Sequence, residues 1–71
     1  MEKNYFLINV NGKYGYSMVV FCNAKDGDAA ISMAADENLF AEETDIQYAY
    51  AEEADKETIQ HFTKNNSVIE I

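Results

Sequence analysis

The sequence lacks several residue types on which common protein functions depend. It contains no proline, no tryptophan and no arginine, and it has only one cysteine, Cys22, and one histidine, His61. One cysteine cannot build the disulfide framework that stabilises small secreted domains. The first residues show no secretory signal pattern. We therefore expect a cytoplasmic protein.

Long apolar segments and basic clusters are also missing. The longest uninterrupted apolar run covers residues 18–22, far short of the roughly 20 residues of a membrane helix, so we expect no membrane partner. Five lysines stand against thirteen acidic residues, which gives a net charge of -8 at pH 7. A chain without arginine or a basic patch binds phosphate poorly, and we expect no direct contact with nucleic acid. The charge favours basic partners or cations, or serves solubility alone.

The residues that are present suffice for one folded domain. The chain has 71 residues, of which 48% are apolar and 13% aromatic. This composition is typical of a folding chain, and the length predicts a single small domain over residues 1–71. No linker, internal repeat or low-complexity tract divides it.

A β-hairpin is predicted at the start of the chain. Residues 4–10 and 14–22 are rich in β-branched and aromatic side chains, and Asn11-Gly12 between them suits a tight turn. A two-residue loop would place Tyr16 on the same face as Tyr5. A longer bulged loop that includes Gly15 would instead pair Phe6 and Ile8 with Met18 and Tyr16, and the pattern leaves both registers open.

The rest of the chain alternates helices and strands. Apolar spacing predicts a helix over residues 28–40, with Asp26 or Asp28 as its N-cap, and a shorter helix over 56–64 capped by Asp55. Strands are predicted over 46–51 and 67–71. The order is ββαβαβ. The simplest arrangement is an α+β domain of two layers, with a four-stranded mixed sheet and both helices on one face.

No group of residues predicts catalysis or ligand binding. Cys22 ends an apolar run with no cationic neighbour, which is typical of a packed thiol, and His61 follows Glu57 by one helical turn, which is typical of a surface pair. One His and one Cys cannot complete a zinc site. The two aspartates around Gly27 are explained by helix capping. We expect neither an enzyme nor a bound cofactor or metal.

Tyrosines are the most informative residues that remain. A sheet covered by helices on one face leaves the other face open, and tyrosine is enriched at protein interfaces. We therefore predict a non-catalytic protein that binds another protein, or a second copy of itself as a homodimer, although scattered surface tyrosines without a role would look the same. The candidate interface residues are Tyr5, Tyr16, Tyr48 and Tyr50.

Acidic residues suggest a second function. They are concentrated before and after the third predicted strand, and such a surface could imitate nucleic-acid phosphates and inhibit a DNA- or RNA-binding protein. Solvated loop charge is the simpler interpretation. The candidate acidic surface consists of Glu42, Glu43, Asp45, Glu52, Glu53, Asp55 and Glu57.

Overall fold

Four strands and two helices follow one another in the predicted order ββαβαβ. The structure is a computed structural model that describes residues 4–43 and 45–71. It confirms the α+β class and the four-stranded mixed sheet. The elements are β1 (Asn4–Asn11), β2 (Tyr16–Cys22), α1 (Gly27–Asp36), β3 (Tyr48–Glu53), α2 (Lys56–Lys64) and β4 (Val68–Glu70).

The strands lie in the order β3-β1-β2-β4. The central strand β1 is antiparallel to both of its neighbours, β2 and β3, while β2 and β4 are parallel. Consequently β2, β3 and β4 all run in one direction, and β3 and β4 form the two edges of the sheet.

The hairpin has the longer kind of loop, and Tyr16 lies on the face that this alternative predicts, but the pairing is shifted by two residues from the predicted one. Ile8 pairs with Met18 and Val10 pairs with Tyr16. Gly15 has a φ of 61°, the left-handed conformation that closes a bulged hairpin loop. Tyr16 therefore lies on the same face as Ile8 and Val10, and Leu7 lies on the other face.

The main core lies between α1 and the first of these faces. Phe6, Ile8 and Val10 of β1 are buried there, and α1 contributes Ala30 and Ala34. Alanine side chains are short, so the helix axis approaches the sheet closely. At Gly27 the approach is so close that a Cβ atom would lie 2.4 Å from the carbonyl oxygen of Ala51 in β3.

The second helix lies on the opposite face of the sheet. Thr58, His61 and Phe62 of α2 line a groove with Leu7 and Ser17, which point away from the main core. The sequence-based expectation placed both helices on one face, and this arrangement corrects it.

The physical reason for this difference is the strand order. The connection from β2 through α1 to β3 and the connection from β3 through α2 to β4 each join parallel strands, but they cross the sheet in opposite directions. Connections of this kind share one handedness in nearly all proteins. Two crossovers of the same hand that run in opposite directions must use opposite faces.

Local signals begin and end both helices. Asp26 and Asp55 are the N-caps and accept hydrogen bonds from the amides of Ala29 and Thr58. An asparagine in the left-handed conformation follows each helix, Asn38 after α1 and Asn66 after α2. The amide of the next residue donates a hydrogen bond to a carbonyl oxygen in the last turn of the helix. The first of these stops ends α1 at Asp36, before the predicted end at residue 40.

We predict that Gly27→Ala destabilises the fold. The added Cβ would meet backbone atoms of Ala51 at 2.4 and 3.0 Å, so α1 or β3 must move. The expected loss in the free energy of unfolding is about 1–3 kcal/mol, as for other overpacked contacts. Urea denaturation measures it, with Ser32→Ala on the exposed side of α1 as the control. A Gly27→Ala protein as stable as the control would show that α1 and β3 separate without cost.

Candidate functional site

Half of the second sheet face is left uncovered by α2. The helix packs mainly against β2 and β4, on the side of the sheet that holds Val19 and Val68. The halves of β1 and β3 on this face carry no helix. We call this surface the open half-face, and it consists of Leu7 and Asn9 of β1 and Tyr48, Tyr50 and Glu52 of β3.

Two tyrosines dominate the open half-face. Tyr48 and Tyr50 are two residues apart on β3, so both side chains project from the same side of the sheet. Their rings are stacked with centroids 6.1 Å apart, and they remain 54% and 49% exposed. Their partners on β1 are Asn11 and Asn9, whose short polar side chains leave the rings uncovered. The result is a paired aromatic surface on a rigid strand.

A shallow groove separates the open half-face from α2. Its volume is about 360 Å³, and its floor is formed by Leu7 and Ser17. Ser17 is held in place by a hydrogen bond that its hydroxyl donates to the Oδ1 atom of Asn9. The helical wall is formed by Glu57, Thr58, His61 and Phe62. Because Leu7 and Phe62 supply apolar surface there, the groove extends the apolar part of the open half-face.

Carboxylates stand before and after the tyrosine pair along the chain. Asp45 precedes the two rings, Glu52 follows them on the same face of β3, Glu53 follows on the opposite face, and Glu57 stands in the first turn of α2. All four are exposed. Among residues 4–43 and 45–71, none of these four side chains forms a hydrogen bond or an ion pair. They are therefore available to a partner.

The four candidate interface tyrosines do not share one surface. Tyr5 lies at the other end of β1 and stacks on Phe21 with ring centroids 4.5 Å apart. Tyr16 lies on the α1 face, where its hydroxyl donates a 3.1 Å hydrogen bond to the carbonyl oxygen of Leu39. Only Tyr48 and Tyr50 are both exposed and adjacent. The open half-face therefore brings together half of the predicted set.

Two of the seven candidate acidic residues serve the fold itself. Asp55 accepts a 2.7 Å hydrogen bond from the Thr58 amide, which lowers the pKa of this carboxyl below its usual 3.8. The hydrogen bond favours the charged form of Asp55 in the folded protein. Its contribution to stability is therefore present above the pKa that Asp55 has in the unfolded chain, and it is lost as the pH falls through the lower pKa of the folded state.

Glu43 is the second acidic residue with an internal role. It is only 4% exposed, and its two carboxylate oxygens accept hydrogen bonds of 2.6 and 2.7 Å from the amides of Tyr14 and Gly15. Its side chain passes so close to Gly12 that a Cβ there would lie 3.0 Å from it. The hairpin loop is thus folded around this carboxylate. Nothing in the local sequence distinguishes Glu43 from exposed Glu42, and Glu43 is therefore wrongly predicted as part of an exposed acidic surface.

The residues considered for catalysis are not assembled into a site. Cys22 is fully buried under α1, while His61 is exposed on α2, on the other face. His61 and Glu57 line the same groove, but within the described residues they form no ion pair. The described part of the chain holds no group of three or more His, Cys, Asp or Glu residues suited to a metal ion. Within it, no helix has the length and apolar content to cross a bilayer.

Family models, curated proteins and solved structures offer no match to this chain. No relative therefore suggests a role for the open half-face. Its own residues, their exposure and their charges carry the functional interpretation.

We predict that Glu43→Gln destabilises the protein. An amide has one acceptor oxygen and presents NH₂ where the carboxylate offers its second acceptor, so one loop amide loses its partner. Because loss of a charge-assisted hydrogen bond leaves a buried group without its partner, we expect the free energy of unfolding to fall by about 1–3 kcal/mol. Glu42→Gln removes the same charge from the exposed neighbour and should change stability by less than about 0.5 kcal/mol. Equal effects in urea denaturation would contradict a specific role for Glu43.

We also predict an alkaline loss of stability that depends on Tyr16. Burial, together with the negative charges of Glu43 and Glu42, raises the pKa of this hydroxyl above 10.0. The folded protein therefore holds the Tyr16 proton more tightly than the unfolded chain. This contribution is complete below pH 10 and is lost as the pH rises through the raised pKa. Above pH 10 the wild type should lose stability more steeply than Tyr16→Phe, and Tyr14→Phe should follow the wild type.

Proposed function

We propose that this chain is a cytoplasmic, non-catalytic protein-binding module whose contact surface is the open half-face. The observation that carries the proposal is the stacked, half-exposed pair of Tyr48 and Tyr50 beside an apolar groove. The partner is another protein or a second copy of this chain.

The chemistry of the tyrosine pair suits protein binding. Tyrosine combines a large apolar ring with a hydroxyl that tolerates water, so it can remain exposed in the free protein and be buried in a complex. Both rings stand on a strand and have only two side-chain torsions to restrict, which keeps the entropy cost of binding low. A core as small as this one supplies modest stability, and a partner that binds only the folded state adds to it.

The positions of the reactive residues support a non-catalytic role. Cys22 is buried, and His61 lies on the opposite face of the sheet, so these two residues cannot act together as nucleophile and base. The single buried cysteine also fits a reducing compartment, which is the basis for proposing a cytoplasmic location.

A second candidate function is inhibition of a nucleic-acid-binding protein by phosphate mimicry. The unpaired carboxylates of Glu52, Glu53 and Glu57 near one end of β3 favour it. Support for it is reduced because Glu43 is buried against the hairpin loop and Asp55 caps α2. This function requires a basic groove in the partner and binding without Tyr48 and Tyr50.

The tyrosine pair can be tested by Tyr48→Ser combined with Tyr50→Ser. Both side chains are exposed, so the variant should fold, and loss of two interface aromatics should weaken binding more than about tenfold. Sedimentation measures the dimer constant, and pull-down on immobilised protein measures retention of other partners. Tyr14→Ser on the hairpin loop is the control, because Tyr14 is also exposed, at 65%, and lies away from the open half-face.

Two results would separate the candidate functions. A dimer or a salt-resistant partner that is lost with the Tyr48 and Tyr50 changes but kept by the control supports the open half-face. A partner retained by the tyrosine variant but lost after Glu52→Lys with Glu53→Lys would contradict it and favour phosphate mimicry.

A further inference from the structure

The charge around the tyrosine pair restricts the kind of protein that can bind there. Residues 45–57 contain five acidic residues and one lysine, Lys56. The exposed carboxylates of Asp45, Glu52, Glu53 and Glu57 make no contact with a basic side chain of the described residues. A second copy of this chain would bring the same carboxylates and a further net charge of -8 to the contact. Like charges across an interface disfavour binding, so the surface is poorly suited to self-association.

The outer edge of β3 is partly closed. The amide of Ala54 donates a hydrogen bond to the carbonyl oxygen of Tyr5. In an antiparallel ladder the direction of the backbone hydrogen bonds alternates along the strand, so the backbone groups of Glu52 and Tyr50 point towards β1 and those of Ala51 point outward. The Ala51 carbonyl lies directly against Gly27 of α1. A partner strand paired with this edge would meet α1 at this contact, which favours binding through the side chains of the open half-face.

We propose that the open half-face binds a basic segment of another protein, with Arg or Lys side chains over the rings of Tyr48 and Tyr50 and their charged groups at Glu52 and Glu57. This inference rests on the proposed function and names the chemistry of its partner. Cations bind over tyrosine rings at about 6 Å or less from the centroid. The chain shows such a contact at the hairpin loop, where the Nζ atom of Lys13 lies 5.6 Å from the ring centroid of Tyr14.

The neighbouring groove accounts for the rest of such a side chain. The aliphatic stems of Arg and Lys lie along apolar surface while the charged ends remain in water. Leu7 and Phe62 offer that surface, and Glu57 stands on the same groove wall. The rings and carboxylates therefore match the charged group of an Arg or Lys side chain, and the apolar floor of the groove matches its aliphatic stem.

The probe is a synthetic ten-residue peptide of alternating Arg and Ser, labelled for fluorescence anisotropy. We expect it to bind wild-type protein at low salt, whereas a peptide of alternating Glu and Ser should not bind. Tyr48→Leu with Tyr50→Leu keeps apolar surface but removes the aromatic rings, and it should weaken binding about tenfold. Amide shifts in NMR spectra should concentrate on β3 and α2 rather than on α1.

A charge-matched control separates this site from the overall charge of the protein. Glu52→Gln with Glu57→Gln should weaken binding at least about fivefold. Asp36→Asn with Glu37→Gln gives the same net charge by changing exposed residues at the end of α1 and should bind like wild type. Equal losses in the two variants, or unchanged binding after the Tyr→Leu changes, would overturn the proposal.

Failure of this inference can be distinguished from failure of the proposed function. If the basic peptide does not bind while a cellular partner or dimer is still lost with Tyr48→Ser and Tyr50→Ser, the proposed basic partner is wrong and the open half-face remains an interface. If the same serine changes leave every partner in place, the proposed function fails as well.

Discussion

The directions of the two crossover connections determine which face of the sheet each helix covers and which part of the sheet stays exposed. The chain passes from β2 to β3 in one direction across the sheet and from β3 to β4 in the other. With one handedness, α1 must cover one face and α2 the other. The second helix has only nine residues and packs towards β2 and β4, so it cannot cover the whole of its face. The open half-face follows from this geometry, and the tyrosine pair is exposed because of it.

Acidic side chains illustrate how position in the fold separates residues of one chemical type. Glu43 is buried and accepts two hydrogen bonds from the hairpin loop, while its neighbour Glu42 is exposed. Asp55 accepts a hydrogen bond from the Thr58 amide in the first turn of α2. The carboxylates of Glu52 and Glu53 have no such donors nearby within the described residues. A carboxylate held by backbone amides stabilises the fold, and one without them is free to attract a basic partner.

The tyrosines show how much of the candidate site could be predicted. The alternation of large and small residues over 46–51 was enough to place Tyr48 and Tyr50 on a strand, and their separation by two residues was enough to place them on one face. The location of Tyr16 depended on the hairpin loop. Closure through Gly15 puts Tyr16 opposite Val10, on the core face, where it bonds to Leu39. A shift of one residue in register exchanges the two faces, so no local pattern could decide it.

Local physical chemistry was sufficient for the elements and their ends. Asp55 caps α2 as predicted, and Asp26 caps α1 as one of the two predicted candidates. Alternating or helical spacing of apolar residues located all six elements to within a few positions. Strand order, the face taken by each helix and the burial of Glu43 were beyond such reasoning, because they depend on residues that are distant in the chain. Glu43 and Tyr14 are 29 residues apart in the sequence. Gly27 contacts Ala51 only after the chain has passed through α1 and returned to the sheet as β3. Contacts of that range exist only in the folded chain, and they decide which side chains remain for a partner.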